Sequence, residues 1–451
     1  MERIGIGITT HNRQNIFDET FKQIKLFTPN TKIVVVDDAS TIPCKKATYR
    51  FETNVGIAQA KNKCLELLDD CEHIFLFDDD CFPTQKNWWQ PYVDSREPHL
   101  MYVFQDFATG RKLNDTKVLY ADDTLVGYSH PRGCMLYFDR KVLDVVGGYN
   151  VEFGRWGYEH GDLSNRIFNN HLTTFRFGDV PGSNVLFHSA DEHETAPGTV
   201  TGQERQTLLK HNKILYDKQM MSKKYCPYKP QNNIVLTSYF VNHMDTQRKK
   251  KWVANHKDIQ ALTDSCVKNK QQIVVLHDCF DLPDTPFVTY VKVDTKINPY
   301  FQRWFTQYQY LRGHPEIDNV FVVDSTDVEM LHNPFDDFNN VMLYVGDEPT
   351  QVDNPWMRKH FNGLRKFIQE YATKPLLNCG VVGGTRNTIM GLCHDIMAAH
   401  FDDPKTTGQF EMGVFNQIVY TKYVHRVIHG RLVTTIFKQN ETESDSWFRH
   451  K

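Results

Sequence analysis

Two stretches decide how this chain is read: "KIVVVDD", Lys32 to Asp38, and "HIFLFDDD", His73 to Asp80. Each is an apolar run that ends abruptly in acids. Runs of this length, rich in β-branched and aromatic residues, read as strands buried on both faces. Ahead of the first lie "IGIGITT" (Ile4 to Thr10), another buried strand, and "NIFDETFKQIKLF", with apolar residues at helical spacing. Between the two acid-ended runs lies the helical pattern "GIAQAKNKCLELLDD", Gly56 to Asp70. Alternation of this kind predicts an α/β fold, a mostly parallel sheet with helices on both faces. Ligands of such sheets gather beyond the carboxyl ends of the strands. Both acidic clusters fall at such ends.

The chain has 451 residues, which suits two domains of roughly 200 residues each. A Pro- and Lys-bearing connector, "SKKYCPYKPQNN" (Ser222 to Asn233), interrupts the pattern, and we expect domains at 1–228 and 229–451. After it, "IVLTSYF", "QIVVLHD" and "VFVVDSTD" repeat the types of "IGIGITT", "KIVVVDD" and "HIFLFDDD" in the same order. The second half therefore reads as a diverged domain of related architecture.

Composition narrows the function classes. The net charge of −3, from 52 basic and 55 acidic residues, disfavours a broad grip on nucleic acid without excluding a local basic patch. The one dense basic run, "QRKKKW" (Gln247 to Trp252), reads as a solvated helix face. Ten scattered cysteines form no C-x-x-C pair, against a disulfide framework or a zinc site. No apolar run approaches the roughly 20 residues of a membrane span, and "MERIGIGITTHNR" lacks a secretory h-region. The expected location is cytoplasmic.

On an extended segment, residues two apart point the same way, so Asp78 and Asp80 converge while Asp79 faces elsewhere. A hard divalent cation relieves their repulsion. Mn²⁺ or Mg²⁺ takes one or two carboxylates and leaves positions for phosphate oxygens.

"IGITTHNR", "IVVVDDAS", "NVGIAQAKNKCLE", "FLFDDDCFP" and "GGYNVEFGRWGYEHGDLSNRI" stand in the order seen in family 2 glycosyltransferases of the GT-A fold, which the segment from Arg3 to His188 resembles. The resemblance implies two Rossmann-like GT-A domains in tandem and a nucleotide-sugar donor. Asp78 and Asp80 would form the DxD motif serving metal and diphosphate, with His188 completing the metal shell. Thr9, Arg13, Asp37 and Asp38 would surround the nucleoside, and Asn54, Gly56, Lys61 and Asp79 would lie near the donor. A family W-G-x-E-D pattern supplies the acceptor-side acid. Glu159 matches its glutamate, but His160 replaces its aspartate and Asp162 follows two positions later, so the base is open among Glu159, His160 and Asp162. Inversion or retention of configuration is equally open.

The second half looks like other GT-A glycosyltransferases in three segments: "VFVVDSTDVEMLHNPF", "LLNCGVVGGTRNTIM" and "FEMGVFNQIVY". By that resemblance Asp324, Asp327 and His450 are metal ligands, and Lys451 binds donor phosphate. The implied function is a metal-dependent glycosyltransferase, bifunctional, moving sugars from nucleotide-diphosphate donors to a glycan or glycoconjugate hydroxyl, as in polysaccharide synthesis. The alternatives are one catalytic domain beside an acceptor-binding domain, or transfer onto hydroxymethylated viral DNA bases. Nucleic acid is the less favoured acceptor because nothing resembles a nucleic-acid module. A lectin without catalysis is the competitor from another class, and acid-tipped strands argue against it.

Overall fold

The computed structural model describes residues 3–113, 115–195, 200–439, 441 and 444–451. The chain divides into two compact units, Met1–Pro230 and Gln231–Lys451. In the first, β1 (Ile4–Thr10), β2 (Lys32–Asp37), β3 (Tyr49–Arg50) and β4 (His73–Asp78) run parallel in the order β3-β2-β1-β4. A short β5 (Cys81–Pro83) follows the acids, then β6 (His99–Met101) and β7 (Met135–Asp139). Strand β7 pairs antiparallel with β4, and β6 closes that edge. Among the helices are α1 (Gln14–Phe27), α2 (Ile57–Leu67), α3 (Glu159–Asn169) and α4 (Gly202–Gln219).

The continuous apolar character of β4 has a direct cause, because both its faces are covered. Ile74 and Leu76 pack with Ala58, Cys64 and Leu65 of α2. Phe75 and Phe77 pack the other way, with Phe17 and Ile24 of α1 and with Trp88 and Tyr92. Burial of each such side chain stabilises by about 1.5–3 kcal/mol, so the strand cannot slip by one residue without exposing or misplacing them. That register sets Thr9 of β1 beside Asp78 of β4. Beyond the acids, β5 pairs antiparallel with β8 (Phe187–Ser189), placing His188 opposite Phe82 and Ser189 opposite Cys81.

The second unit repeats this order of elements. Strands β9 (Asn233–Tyr239), β10 (Gln272–His277), β11 (Val288–Lys292) and β12 (Asn319–Asp324) are parallel in the order β11-β10-β9-β12. Helix α5 (Lys257–Lys268) follows β9 and α6 (Pro299–Gly313) precedes β12. After the acids comes β13 (Val328–Met330), and then β14 (Leu343–Gln351) and β15 (Pro375–Thr385), with β15 antiparallel to both β12 and β14. Helices α7 (Arg386–Asp402) and α8 (Met412–Lys422), edge strand β16 (Val427–His429) and terminal strand β17 (Phe448–His450) complete it. Strand β17 pairs antiparallel with β13, His450 facing Val328. Both units are therefore α/β Rossmann-like folds with mostly parallel sheets and flanking helices.

One local expectation is corrected. "QRKKKW" is not a helix face: it forms the turn and return of a small hairpin, Met244–Asp245 with Lys250–Lys251. The unit boundary falls within the connector, between Pro230 and Gln231, and the connector's first part packs on the first unit: Tyr225, Cys226 and Tyr228 are buried and Gly148 N–H donates to Cys226 O at 2.7 Å.

Candidate active sites

A cavity of about 860 Å³ opens at the carboxyl ends of β1 and β4 in the first unit. Thr9, Arg13, Asp38, Asn54, Asp78, Asp79, Asp80, Glu159 and His160 all line it. The three consecutive aspartates survive together because two cations are built against them. Lys61, buried on α2, places Nζ 2.9 Å from Asp78 Oδ1 and 3.2 Å from Gly133 O. Arg13, just before α1, spans Asp79 Oδ1 at 3.0 Å and Asp80 Oδ2 at 2.7 Å. Asp79 also accepts from Thr10 Oγ1 at 2.8 Å, and its carbonyl accepts from Thr20 Oγ1 at 2.8 Å, which pins the turn. Burial still dominates: it pushes Asp78 up to about 6 against the pull of Lys61, and Asp79 up to about 7 against that of Arg13. Further positive charge at this tip is therefore favoured.

Thr9, Arg13 and Asn54 line this cavity, and Thr9 Oγ1, Arg13 Nε and Asn54 Oδ1 are buried without a hydrogen-bond partner among the described residues. Buried polar atoms left unpaired cost about 1–3 kcal/mol each, and a polar ligand in the cavity satisfies them. Asp38 does a mixed duty: it faces the cavity while its carboxylate accepts from Val55 N–H at 2.7 Å and Gly56 N–H at 3.0 Å.

On the opposite wall, Glu159 opens α3. Its Oε2 accepts from Gly157 N–H at 2.9 Å, and its Oε1 lies 3.2 Å from His160 Nδ1. Burial raises the Glu159 carboxyl, but the His160 ring and the Lys61 ammonium outweigh it and hold it down to about 2. An ionised glutamate on Nδ1 fixes the ring and leaves Nε2 as the basic nitrogen.

Several expected site residues serve the scaffold instead. Asp37 is fully buried and accepts from Ser40 N–H, Cys44 N–H and Arg50 Nε at 2.9, 2.9 and 3.2 Å, so it shapes the turn after β2. Gly56, with φ +90°, does approach closely, but to backbone: a Cβ there would meet Gly154 O at 2.4 Å. Asp162 is buried against Arg166 Nε at 2.9 Å, and Arg166 holds Val146 O and Gly148 O, so Asp162 is no base. His188 lies within electrostatic range of Asp80 but is not part of a tight three-ligand cluster among the described residues. Neighbouring residues of a strand face opposite ways, and the His188 ring stacks on Phe82 and His193 at centroid distances of 4.9 and 4.3 Å. Ser189, the neighbour whose buried Oγ has no partner, faces the other side.

In the second unit a cavity of about 810 Å³ lies at the corresponding strand ends. Among the described residues, the His, Cys, Asp and Glu side chains that bring three ligand atoms within 4.8 Å of one another are Asp324, Asp327 and His450. His450 Nε2 is 4.0 Å from Asp324 Oδ2 and 3.9 Å from Asp327 Oδ2. Asp327 Oδ1 is buried without a partner, and burial beside Asp324 pushes the Asp327 carboxyl well up. A glycine makes the space: a Cβ on Gly380 would meet His450 Cε1 at 2.3 Å and Asp324 Oδ2 at 2.8 Å. One imidazole and two carboxylates around such a gap fit a divalent cation. Lys451 Nζ pairs with Glu329, while its backbone N–H donates to Asp327 O at 2.8 Å.

Arg303, on α6, was missed in the sequence. Its guanidinium pairs with Asp324, reaches Glu411 Oε1 at 2.8 Å and donates to Cys379 O at 3.0 Å. Its position matches that of Lys61: each is a cation on the helix before the acid-tipped strand, Lys61 buried and Arg303 half-buried. The signal was present in "NPYFQRWFTQYQYL", where Arg303 and Gln307 stand four apart on an otherwise aromatic helix. Glu411, buried just ahead of α8, corresponds in turn to Glu159 at the start of α3.

Comparison with known proteins finds glycosyltransferase likeness in the first unit. Residues 6–97 match the family model described as glycosyl transferase family 2, and residues 120–189 match the one described as N-terminal domain of galactosyltransferase. An uncharacterized glycosyltransferase of Acanthamoeba polyphaga mimivirus is 28% identical over 211 residues, covering 41% of this chain and 80% of the relative. Among the described residues, no helix is long and apolar enough to cross a membrane.

Proposed function

We propose that this glycosyltransferase carries two transfer sites, one per unit, each using a divalent cation at an acid-tipped strand to take a sugar from a nucleotide diphosphate. The observation that carries the reading is the first cavity's arrangement: three acids at the tip of β4, with Thr9, Arg13 and Asn54 presenting unsatisfied buried atoms beside them. Asp78 and Asp80 would hold the ion in the first unit, and Asp324, Asp327 and His450 in the second. When bound, the ion neutralises charge on the departing diphosphate. Thr9, Asp38 and Asn54 bind the nucleoside side of the donor, and Arg13 is placed to turn from Asp80 to phosphate oxygens.

His160 takes the proton of the attacking acceptor hydroxyl at Nε2, with ionised Glu159 orienting the ring through Nδ1. This assignment uses the departure from the family pattern: histidine stands where the aspartate is expected, and its neighbour supplies the orienting carboxylate. In the second unit, Arg303 and Glu411 occupy the places of Lys61 and Glu159, which supports a second working site rather than a bare scaffold. The acceptor class that suits this chemistry is a glycan or glycoconjugate hydroxyl.

The deciding experiment is a donor screen. Purified protein with Mn²⁺ and a panel of nucleotide sugars is scored for diphosphate release, and calorimetry measures nucleotide binding with and without metal. Metal-assisted binding of at least one nucleotide sugar is expected. Absence of it across uridine, guanosine, cytidine and thymidine donors overturns the reading.

A further inference from the structure

Helix α4 stands apart from the other helices of the first unit. Along its 18 residues Asn212 is the one buried side chain, 1% exposed, and the rest of the helix is largely solvated. Burial of apolar surface therefore does not hold it in place. What ties it down is largely polar and aromatic: Gln219 bonds Asn150 and Glu152, and the remaining ties concentrate on one loop. The Asn212 amide donates from Nδ2 to three carbonyls, Phe153 O at 2.8 Å, Trp156 O at 2.9 Å and Gly157 O at 3.0 Å. Arg155 pairs with Glu204 at 2.6 Å, the Arg205 guanidinium lies 4.5 Å from the Trp156 ring, and the Tyr158 and Tyr216 rings are 5.2 Å apart.

The loop needs such a splint. Gly154, Gly157 and Tyr158 have φ of +62°, +100° and +71°, and the left-handed region disfavours a residue such as tyrosine by about 1–2 kcal/mol. Converging carbonyls also repel one another unless a shared donor sits between them. The loop carries Trp156 on the cavity wall, and its Gly157 N–H holds Glu159 Oε2 at 2.9 Å. One peptide thus links the Asn212 amide to the carboxylate that orients His160.

We propose that Asn212 is a positioning residue for transfer: by bonding the Phe153, Trp156 and Gly157 carbonyls it locks the loop that presents Trp156 to the acceptor and aims Glu159. The inference rests on the first-unit reading above and deepens its acceptor side. The donor side, at Thr9, Asn54 and the aspartates, lies on other elements and makes no hydrogen bond to this amide; it meets the loop through Gly56 and Ile57, which lie against Gly154 and Arg155.

Asn212→Asp keeps the shape but turns a donor into an acceptor facing three carbonyls, and Asn212→Ala removes the amide. Both are measured beside Gln206→Ala, an exposed position of the same helix. Amide hydrogen exchange is followed at residues 153–158 and in β4. Calorimetry uses UDP and GDP with Mn²⁺, and transfer uses the donor found by the screen. Faster exchange at 153–158 with β4 unchanged, nucleotide affinity within about two-fold, and kcat/KM for the acceptor down by about ten- to a hundred-fold are expected for both Asn212 variants, whereas Gln206→Ala leaves exchange, nucleotide affinity and transfer unchanged. Unchanged loop exchange, or transfer retained despite a loosened loop, overturns the proposal. So does an equal loss of nucleotide affinity, which marks general damage. The exchange arm needs no nucleotide, and a wild-type protein that binds none overturns the site reading instead.

Discussion

The two acid-tipped strands solve one electrostatic problem in different ways. In the first unit every aspartate of the tip has a cation within reach, Lys61 on Asp78 and Arg13 on Asp79 and Asp80. In the second, Arg303 takes Asp324, while Asp327 has His450 at 3.9 Å and feels Arg248 and Arg303 at longer range. The first tip is compensated by two cations paired to its carboxylates; the second is shaped as a three-ligand gap. The difference follows from one position on the late antiparallel strand. Beside Cys81, directly after the last acid, stands Ser189; beside Val328, directly after Asp327, stands His450. The first unit's histidine, His188, stands one residue earlier, opposite Phe82.

The largest expected effect tests whether both tips work. Asn replacing Asp78 and Asp80, and separately Asp324 and Asp327, should each remove one transfer activity by about 10³-fold in kcat while the other persists, measured as diphosphate release with each donor. Loss of every activity from one pair alone would leave a single catalytic unit. Next, His160→Ala should lower first-unit transfer by about 10²–10³-fold with nucleotide affinity preserved. Replacement of His160 also frees Glu159 to titrate upward. The wild-type carboxyl, held at about 2 in the folded chain and near its ordinary value when unfolded, contributes stability above about pH 4.5 that fades as pH falls toward 2. A flatter acid dependence of first-unit unfolding in His160→Ala checks that sign.

Removal of the buried cation should cost stability rather than chemistry alone. Lys61→Met leaves Asp78 without its partner and should destabilise the first unit by about 3 kcal/mol in denaturant unfolding. The metal ligands sharpen the contrast further. His450→Ala should weaken Mn²⁺ binding measured without nucleotide by at least about ten-fold. Smallest of all, His188→Ala should leave Mn²⁺ and nucleotide affinities within about two-fold, an effect of order 0.5 kcal/mol. Ser189→His, by contrast, is expected to tighten first-unit metal binding.

Much of the fold was legible because periodicity reports burial directly. "KIVVVDD" and "HIFLFDDD" are apolar throughout because helices cover both sheet faces, and their acids mark the strand ends. The recurrence of the same strand types after Asn233 foreshadowed the matching topology. Residue roles were less legible. Asp37 and Asp38 are adjacent and identical in type, yet one caps a buried turn and the other faces the cavity. Lys61 carried the right charge, but its distance from Asp78 depends on how α2 packs on the sheet. Asn212 lies in a helix whose sequence reads as solvated, and nothing local distinguishes it.

By itself the sequence determined the alternation of strands and helices, the placement of acids at strand ends and the glycosyltransferase resemblance of the first half, because these depend on local pattern and order along the chain. Only the tertiary structure decided which acids have partners, which histidine meets them and which helix braces the loop before Glu159. Those outcomes depend on register between strands distant in sequence, where a shift of one residue turns a ligand to the opposite face.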